Sequence, residues 1–271
     1  MPIAGISQGL GLGGGTVATI SGMRVSWTPV EISTEAWYDA SDGGTITESG
    51  GDVSQWGDKS GNANHMTAAS GEEPTTGSET LNGLNVLSFD GADPSGQYLE
   101  DDDFPLPSSG DIAVFLVAEP SDVSHGSDSI YSFNASERDC QFDAGSDSQW
   151  NGRISETGIG SQLSATGFPY NGPSVYNTNF DYTGAAEYNI YVDGAKVSAD
   201  ETYTATIKTP TQFKLFANRG AARPLGGTLG EVVAVEDCTT ATRQKIEGYL
   251  AHKWGLEGNL PSDHPFKVSA P

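Results

Sequence analysis

Apolar and polar positions along the chain fall into two kinds of pattern. Residues 112–118 and 229–235 are apolar or β-branched almost throughout, as strands buried on both faces should be, and the first is expected to stop at Glu119 and Pro120, where proline withdraws a ladder donor. Tyr188, Ile190 and Val192 alternate with Asn189, Tyr191 and Asp193, and Asp193-Gly194 suits a two-residue type I′ hairpin turn leading to Val197. In 84–90 the period is mixed: Leu84, Val86 and Ser88 face one way, while Leu87 and Phe89 depart from strict alternation. Further strands are expected at Trp37 and Tyr38, up to Trp56, and over 212–217.

Clear helical spacing occurs in one place. Ile246, Leu250 and Trp254 recur every fourth residue with Tyr249 beside them, Thr239 or Thr240 stands where an N-cap is needed, and Gly255 occupies the left-handed position after the last turn. Many short strands, no internal repeat and one late helix predict an all-β protein, a two-sheet antiparallel sandwich closed by a C-terminal amphipathic helix.

The run RQKIEGYLAHKWGL, followed by LP and HPF, resembles the C-terminal signature of laminin-G-like, concanavalin A-type jelly-roll domains found in bacterial surface proteins and phage virion proteins. The similarity extends upstream to AWYDASD (36–42), VSQWGDKSGNANH (53–65), NGLNVLSFDGAD (82–93), IAVFLVAEP (112–120) and IYVDGAKV (190–197). It implies a jelly-roll sandwich over residues 24–271, preceded by a glycine-rich arm over 1–23. It implies little about activity, because this fold hosts lectins, hydrolases and structural modules alike.

Composition adds constraints. Glycine 35 and proline 14 suit many turns, and 36% hydrophobic content still supplies a sizeable core. Thirteen Lys and Arg against 36 Asp and Glu give a net charge of −23, which repels nucleic-acid phosphates and anionic membranes. Cys140 and Cys238 are too few for a disulfide framework and lack CxxC spacing; two buried thiols are expected, with a bridge open if they lie on facing strands. Residues 1–22 alternate small apolar residues with glycine and contain no basic region or continuous apolar run of an export signal. Openings of this type resemble those of phage structural proteins with the same sandwich. An arm that orders against a partner chain is expected, in a homo-oligomer such as a trimer, with a frayed terminus as the alternative.

Candidate sites follow from residue chemistry. Asp58, Ser60, Asn62 and Asn64 place oxygen-bearing side chains at alternate positions, as a Ca²⁺ loop does, although turns use the same residues for their own backbone hydrogen bonds. The acidic run at Glu100, Asp101, Asp102 and Asp103 reads as a solvated loop or a cation recruiter. Trp150, Tyr170 and Tyr176, amid Gly, Ser and Asn, are candidates for stacking on sugar faces, the alternative being rings that cap the core or an oligomer interface.

No catalytic constellation emerges. Glu231 shares its strand face with Val233 and Val235 while Glu236 points the other way, so the two cannot flank one glycosidic bond. His65, His125, His252 and His264 show no paired ligand spacing, and neither GxSxG nor a phosphate-cradling loop is present. The sequence and its resemblance together lead to the expectation of a non-enzymatic phage virion surface protein, a head decoration, fibre or tail adhesin. It would be attached to other virion proteins through residues 1–22, displayed outside the cell after lysis, and able to bind a host glycan. A bacterial cell-surface lectin module and a glycoside hydrolase stay open as alternatives.

Overall fold

A computed structural model describes residues 27–92, 96–105, 111–122, 128–133, 140–144, 149–156, 159–166, 172–181, 186–198, 202–203, 212–217, 225–236 and 238–271. The proposed arm at 1–22 lies outside them.

Antiparallel pairing sorts the strands into two layers. In the first sheet Ala195–Lys196, Ala186–Val192, Ser174–Asp181, Asp111–Asp122 and Gly226–Glu236 lie side by side. The far edge of Gly226–Glu236 is shared: its first half pairs with Leu84–Asp90, which pairs in turn with Thr75–Leu81, and its second half with Ala36–Asp39. The second sheet runs Ile46–Ser49, Asp52–Trp56, Met66–Thr67, Leu99–Asp101, Phe213–Leu215, Asp128–Phe133, Cys140–Ala144, Gln149–Glu156 and Ile159–Thr166. A bridge at Asp52 and Thr75 joins the layers at one edge. The fold is the expected all-β sandwich, with one α-helix among the described residues, near the C-terminus.

Why the central strands lack alternation is now plain: both of their faces are buried. Ile112, Val114, Leu116 and Ala118 point into the inter-sheet core with Val232, Ala234, Tyr38, Trp56, Tyr131 and Phe133. Ala113, Phe115, Val117, Val233 and Val235 point outward, into a second core under the helix Thr240–Trp254. The mixed period of Leu84–Asp90 has the same cause, with Leu87 and Phe89 between the sheets and Leu84 and Val86 on the helix side.

Thr239 caps the helix, its hydroxyl accepting from the Thr242 N–H at 3.2 Å, and Gly255 ends it at φ 71°. Ile246, Leu250 and Trp254 are fully buried, as the spacing predicts. The opposite side is covered too. The tail after Gly255 folds back so that Phe266 lies where a side chain on Gly248 would stand, and Leu256 and Leu260 join the outer core. Arg243 and His264 both reach the fully buried Glu247, at 2.6 and 3.2 Å. The Phe266 N–H donates to His264 Nδ1, which leaves Nε2 to carry the hydrogen toward Glu247. Asp193 and Gly194 adopt φ 50° and 79°, the predicted I′ turn, with Val192 paired to Ala195.

Two local expectations are corrected. Asp111–Asp122 continues through Pro120, because Pro120 faces Gly227 where the ladder register shifts, and a bulge tolerates a missing N–H. The acidic run is not a plain solvated loop either: Leu99–Asp101 is a strand, and Glu100 forms an ion pair with Lys214, its cross-strand neighbour. Cys140 begins a strand of the second sheet, whereas Cys238 follows the long strand of the first and packs against the helix-side core.

Candidate functional site

Asp58 sits at the start of the proposed cation loop, and its oxygens serve the loop itself. Oδ1 accepts from the N–H groups of Trp37 and Ser60 at 2.9 and 2.8 Å, and Oδ2 from Ser60 Oγ and the Asn64 N–H at 2.6 and 3.2 Å. Asn62 and Asn64 donate their amides to the carbonyls of Thr34 and Glu35. The four residues therefore staple the loop to the start of Ala36–Asp39. Among the described residues no group of three His, Cys, Asp or Glu side chains is placed to hold a metal ion.

Of the three aromatic candidates, Tyr176 is corrected. It is 2% exposed, lies in the inter-sheet core and packs at 6.1 Å from Phe142, so its ring cannot meet a sugar. An alternating strand buried on both sides gave it an inward position that local composition did not reveal. Trp150 belongs to the strand Gln149–Glu156, and Tyr170 lies outside the described residues.

Two other acidic regions share the outer face of the first sheet. In one, Asp39 and Glu231 stand directly opposite each other on paired strands. Like charges so placed repel. Lys253 from the helix lies between them, 2.7 Å from each. Glu231 is fully buried and accepts from Trp37 Nε1 and Tyr249 Oη on one oxygen, at 2.7 and 2.9 Å, and from Lys253 Nζ and Trp254 Nε1 on the other, both at 2.7 Å. Burial pushes its pKa above the ordinary 4.5, with Lys253 opposing. All four partners donate here, so the site is built for the carboxylate. Burial also works to raise the Asp39 pKa, but Lys253, Ser41 and Lys59 outweigh it and hold the carboxyl below 3.8. Lys59 extends the chain of charges to Asp42. Gly230 makes the arrangement possible: a Cβ there would stand 2.9 Å from the Trp254 ring, which instead lies flat against the strand. His252 and His65 are likewise spent on structure, His252 Nε2 meeting the Phe266 carbonyl at 2.8 Å and His65 Nδ1 accepting from the Asp58 N–H at 3.0 Å, while His125 lies outside the described residues.

The other region begins where the helix ends. Ser88, Thr228 and Glu119 occupy one register row across three adjacent strands, and the outward positions just before Ser88 and Glu119, Val86 and Val117, are under the helix. Beyond that apolar cover the row floors a groove of about 250 Å³, lined also by Glu79, Ser121 and Gly227, with Phe89 turned to the inter-sheet core. Glu79 and Glu119 are exposed, and neither has an ion-pair partner among the described residues. Ser88 Oγ is buried without a hydrogen-bond partner among the described residues. Gly227, at φ 141°, brings the strands together so closely that a Cβ would lie 2.3 Å from the Glu119 carbonyl oxygen. The sequence signal that locates this groove is weak: an outward Glu after a doubly buried run, paired with Thr228 just after Gly226-Gly227.

No family model and no curated protein sequence matches the chain. Among solved structures it is similar to a Trypanosoma rangeli sialidase in complex with sialic acid, with 12% identity, a TM-score of 0.54 and coverage of 80% of this chain and 33% of that one. The same sialidase as a covalent intermediate with 2,3-difluorosialic acid gives 12%, 0.54, 81% and 33%. Domain 4 of an extracellular arabinanase from Geobacillus stearothermophilus, in complex with arabinotriose, is 14% identical with a TM-score of 0.47, covering 75% of this chain and 92% of that one. This chain spans about a third of the sialidase. At such identity the likeness is one of fold: a β-sandwich.

Proposed function

We propose that this chain is a non-enzymatic, glycan-binding sandwich, displayed on a phage particle and attached through residues 1–22. The observation that carries the binding reading is the groove, where two exposed carboxylates and the hydroxyl-bearing Ser121 and Thr228 converge beside a covered core. Concave sites with a few convergent polar groups are where small polar ligands bind.

Hydrolysis is disfavoured on physical grounds. A glycosidase needs one carboxyl kept protonated by a desolvating pocket and another kept ionised. Glu79 and Glu119 are both open to solvent, while the fully buried Glu231 and Glu247 are engaged with cationic and N–H donors. The particle attachment rests on the resemblance of the sequence to virion sandwiches and on the small-residue composition of 1–22.

The test is incubation of the full chain with oligosaccharides while retention and new reducing ends are both followed. Retention without new reducing ends is expected. Release of reducing ends that stops in Glu119→Gln would establish a hydrolase instead. For attachment, a chain lacking residues 1–22 should sediment as a smaller species than the full chain, and unchanged sedimentation would remove the arm from the account.

A further inference from the structure

Building on the glycan-binding reading, we infer that the groove at Glu79, Ser88, Glu119, Ser121 and Thr228 takes uncharged sugars through their vicinal hydroxyls and rejects sialic and uronic acids. Three features of the groove carry this. Its acceptors are carboxylates: an ionised carboxylate takes two hydroxyl hydrogens from neighbouring carbons of a sugar ring, and such charge-assisted bonds are the stronger kind. Glu119 and Glu79 supply two of these acceptors with no cation already bound to them among the described residues.

Spacing is the second feature. Ser88, Thr228 and Glu119 share a register row on adjacent strands, about 4.8 Å apart, so the row spans roughly one to two sugar rings. A volume of about 250 Å³ suits the end of a saccharide rather than a long chain lying in a cleft.

Charge is the third. Among the described residues no Lys, Arg or His lines the groove, and the whole chain carries −23. A sugar carboxylate brought here meets two like charges within a strongly acidic chain, so the groove is built against acidic sugars as much as for neutral ones.

The experiment is titration of the full chain with mannotetraose, chitotetraose and 3′-sialyllactose, repeated with Glu119→Gln, Glu79→Gln and Thr228→Val. We expect at least one neutral probe to bind, 3′-sialyllactose to bind at least tenfold more weakly, and Glu119→Gln to weaken the neutral probe by about tenfold or more at an unchanged melting temperature. Tighter binding of 3′-sialyllactose overturns the inference. So does neutral-sugar binding that is the same in all three variants, which leaves a glycan-binding protein whose site is elsewhere. Binding of none of the probes overturns the inference and, with it, the reading on which it rests.

Discussion

Two glutamates on one face of one sheet have opposite fates. Glu231 and Glu119 lie on neighbouring strands, with Glu231 paired to Val117 and Glu119 two residues further on, about 7 Å along the strand. The helix makes the difference: it lays Trp254, Tyr249 and Lys253 over Glu231 and stops short of Glu119. Under the helix a carboxylate is held by four donors and serves the fold. Past its end the same residue type faces water with two hydroxyls in its row. A carboxylate's role on such a sheet is thus set by the donors aimed at it, and by whether water or protein provides them.

The strongest challenge to this comparison is removal of the cover. Trp254→Ala should cost about 3–5 kcal/mol, since it opens a cavity over Gly230 and takes one donor from Glu231. Chemical unfolding measures it, and a loss under 1 kcal/mol would mean that the helix is not what holds this half of the face. Asp58→Ala comes next, at about 1–3 kcal/mol, because it leaves the Trp37 and Ser60 N–H groups and Ser60 Oγ without their acceptor.

The acid limb of the stability profile sharpens the contrast further. Asp39 is held below its ordinary 3.8, so its contribution is complete above that value and is lost as the pH falls through it. Glu231, pushed up by burial, acts in the reverse sense, its contribution fading as the pH rises past 4.5. Asp39→Asn should therefore flatten the loss of stability below about pH 4, read from melting temperatures between pH 2.5 and 7. A parallel profile in parent and variant would place the acid sensitivity elsewhere. The smallest effect is expected of chelator: with both Asp58 oxygens occupied by loop donors, the melting temperature should not move, and a fall on chelation would restore the cation loop.

Periodicity disclosed the sandwich, the helix with its stripe and cap, and the Asp193-Gly194 turn, because each follows from local steric and hydrophobic rules. The Asn82-Gly83 hairpin turn, at φ 51° and 73°, was equally legible from its residue pair and closes Thr75–Leu81 onto Leu84–Asp90. The Glu231 cluster was not, since its partners Trp37, Tyr249, Lys253 and Trp254 are brought together across as many as 194 positions of sequence. An acid within a β-branched run is nonetheless a signal, for such a residue needs donors from the element that covers it. Tyr176 was misplaced because a ring amid polar residues looks the same whether it faces solvent or the second sheet. The groove escaped notice because its row crosses three strands that are distant in sequence.

The central claim, that Glu231 belongs to the fold and Glu119 does not, is tested most directly by the unfolding free energies of Glu231→Gln and Glu119→Gln measured side by side. An amide offers one acceptor oxygen where Glu231 provides two, and it removes one of the two carboxylates between which Lys253 is held. The account predicts a loss of about 3–5 kcal/mol for Glu231→Gln and a change within about 0.5 kcal/mol for Glu119→Gln. Equal losses in the two variants, or a tolerated Glu231→Gln, would contradict it.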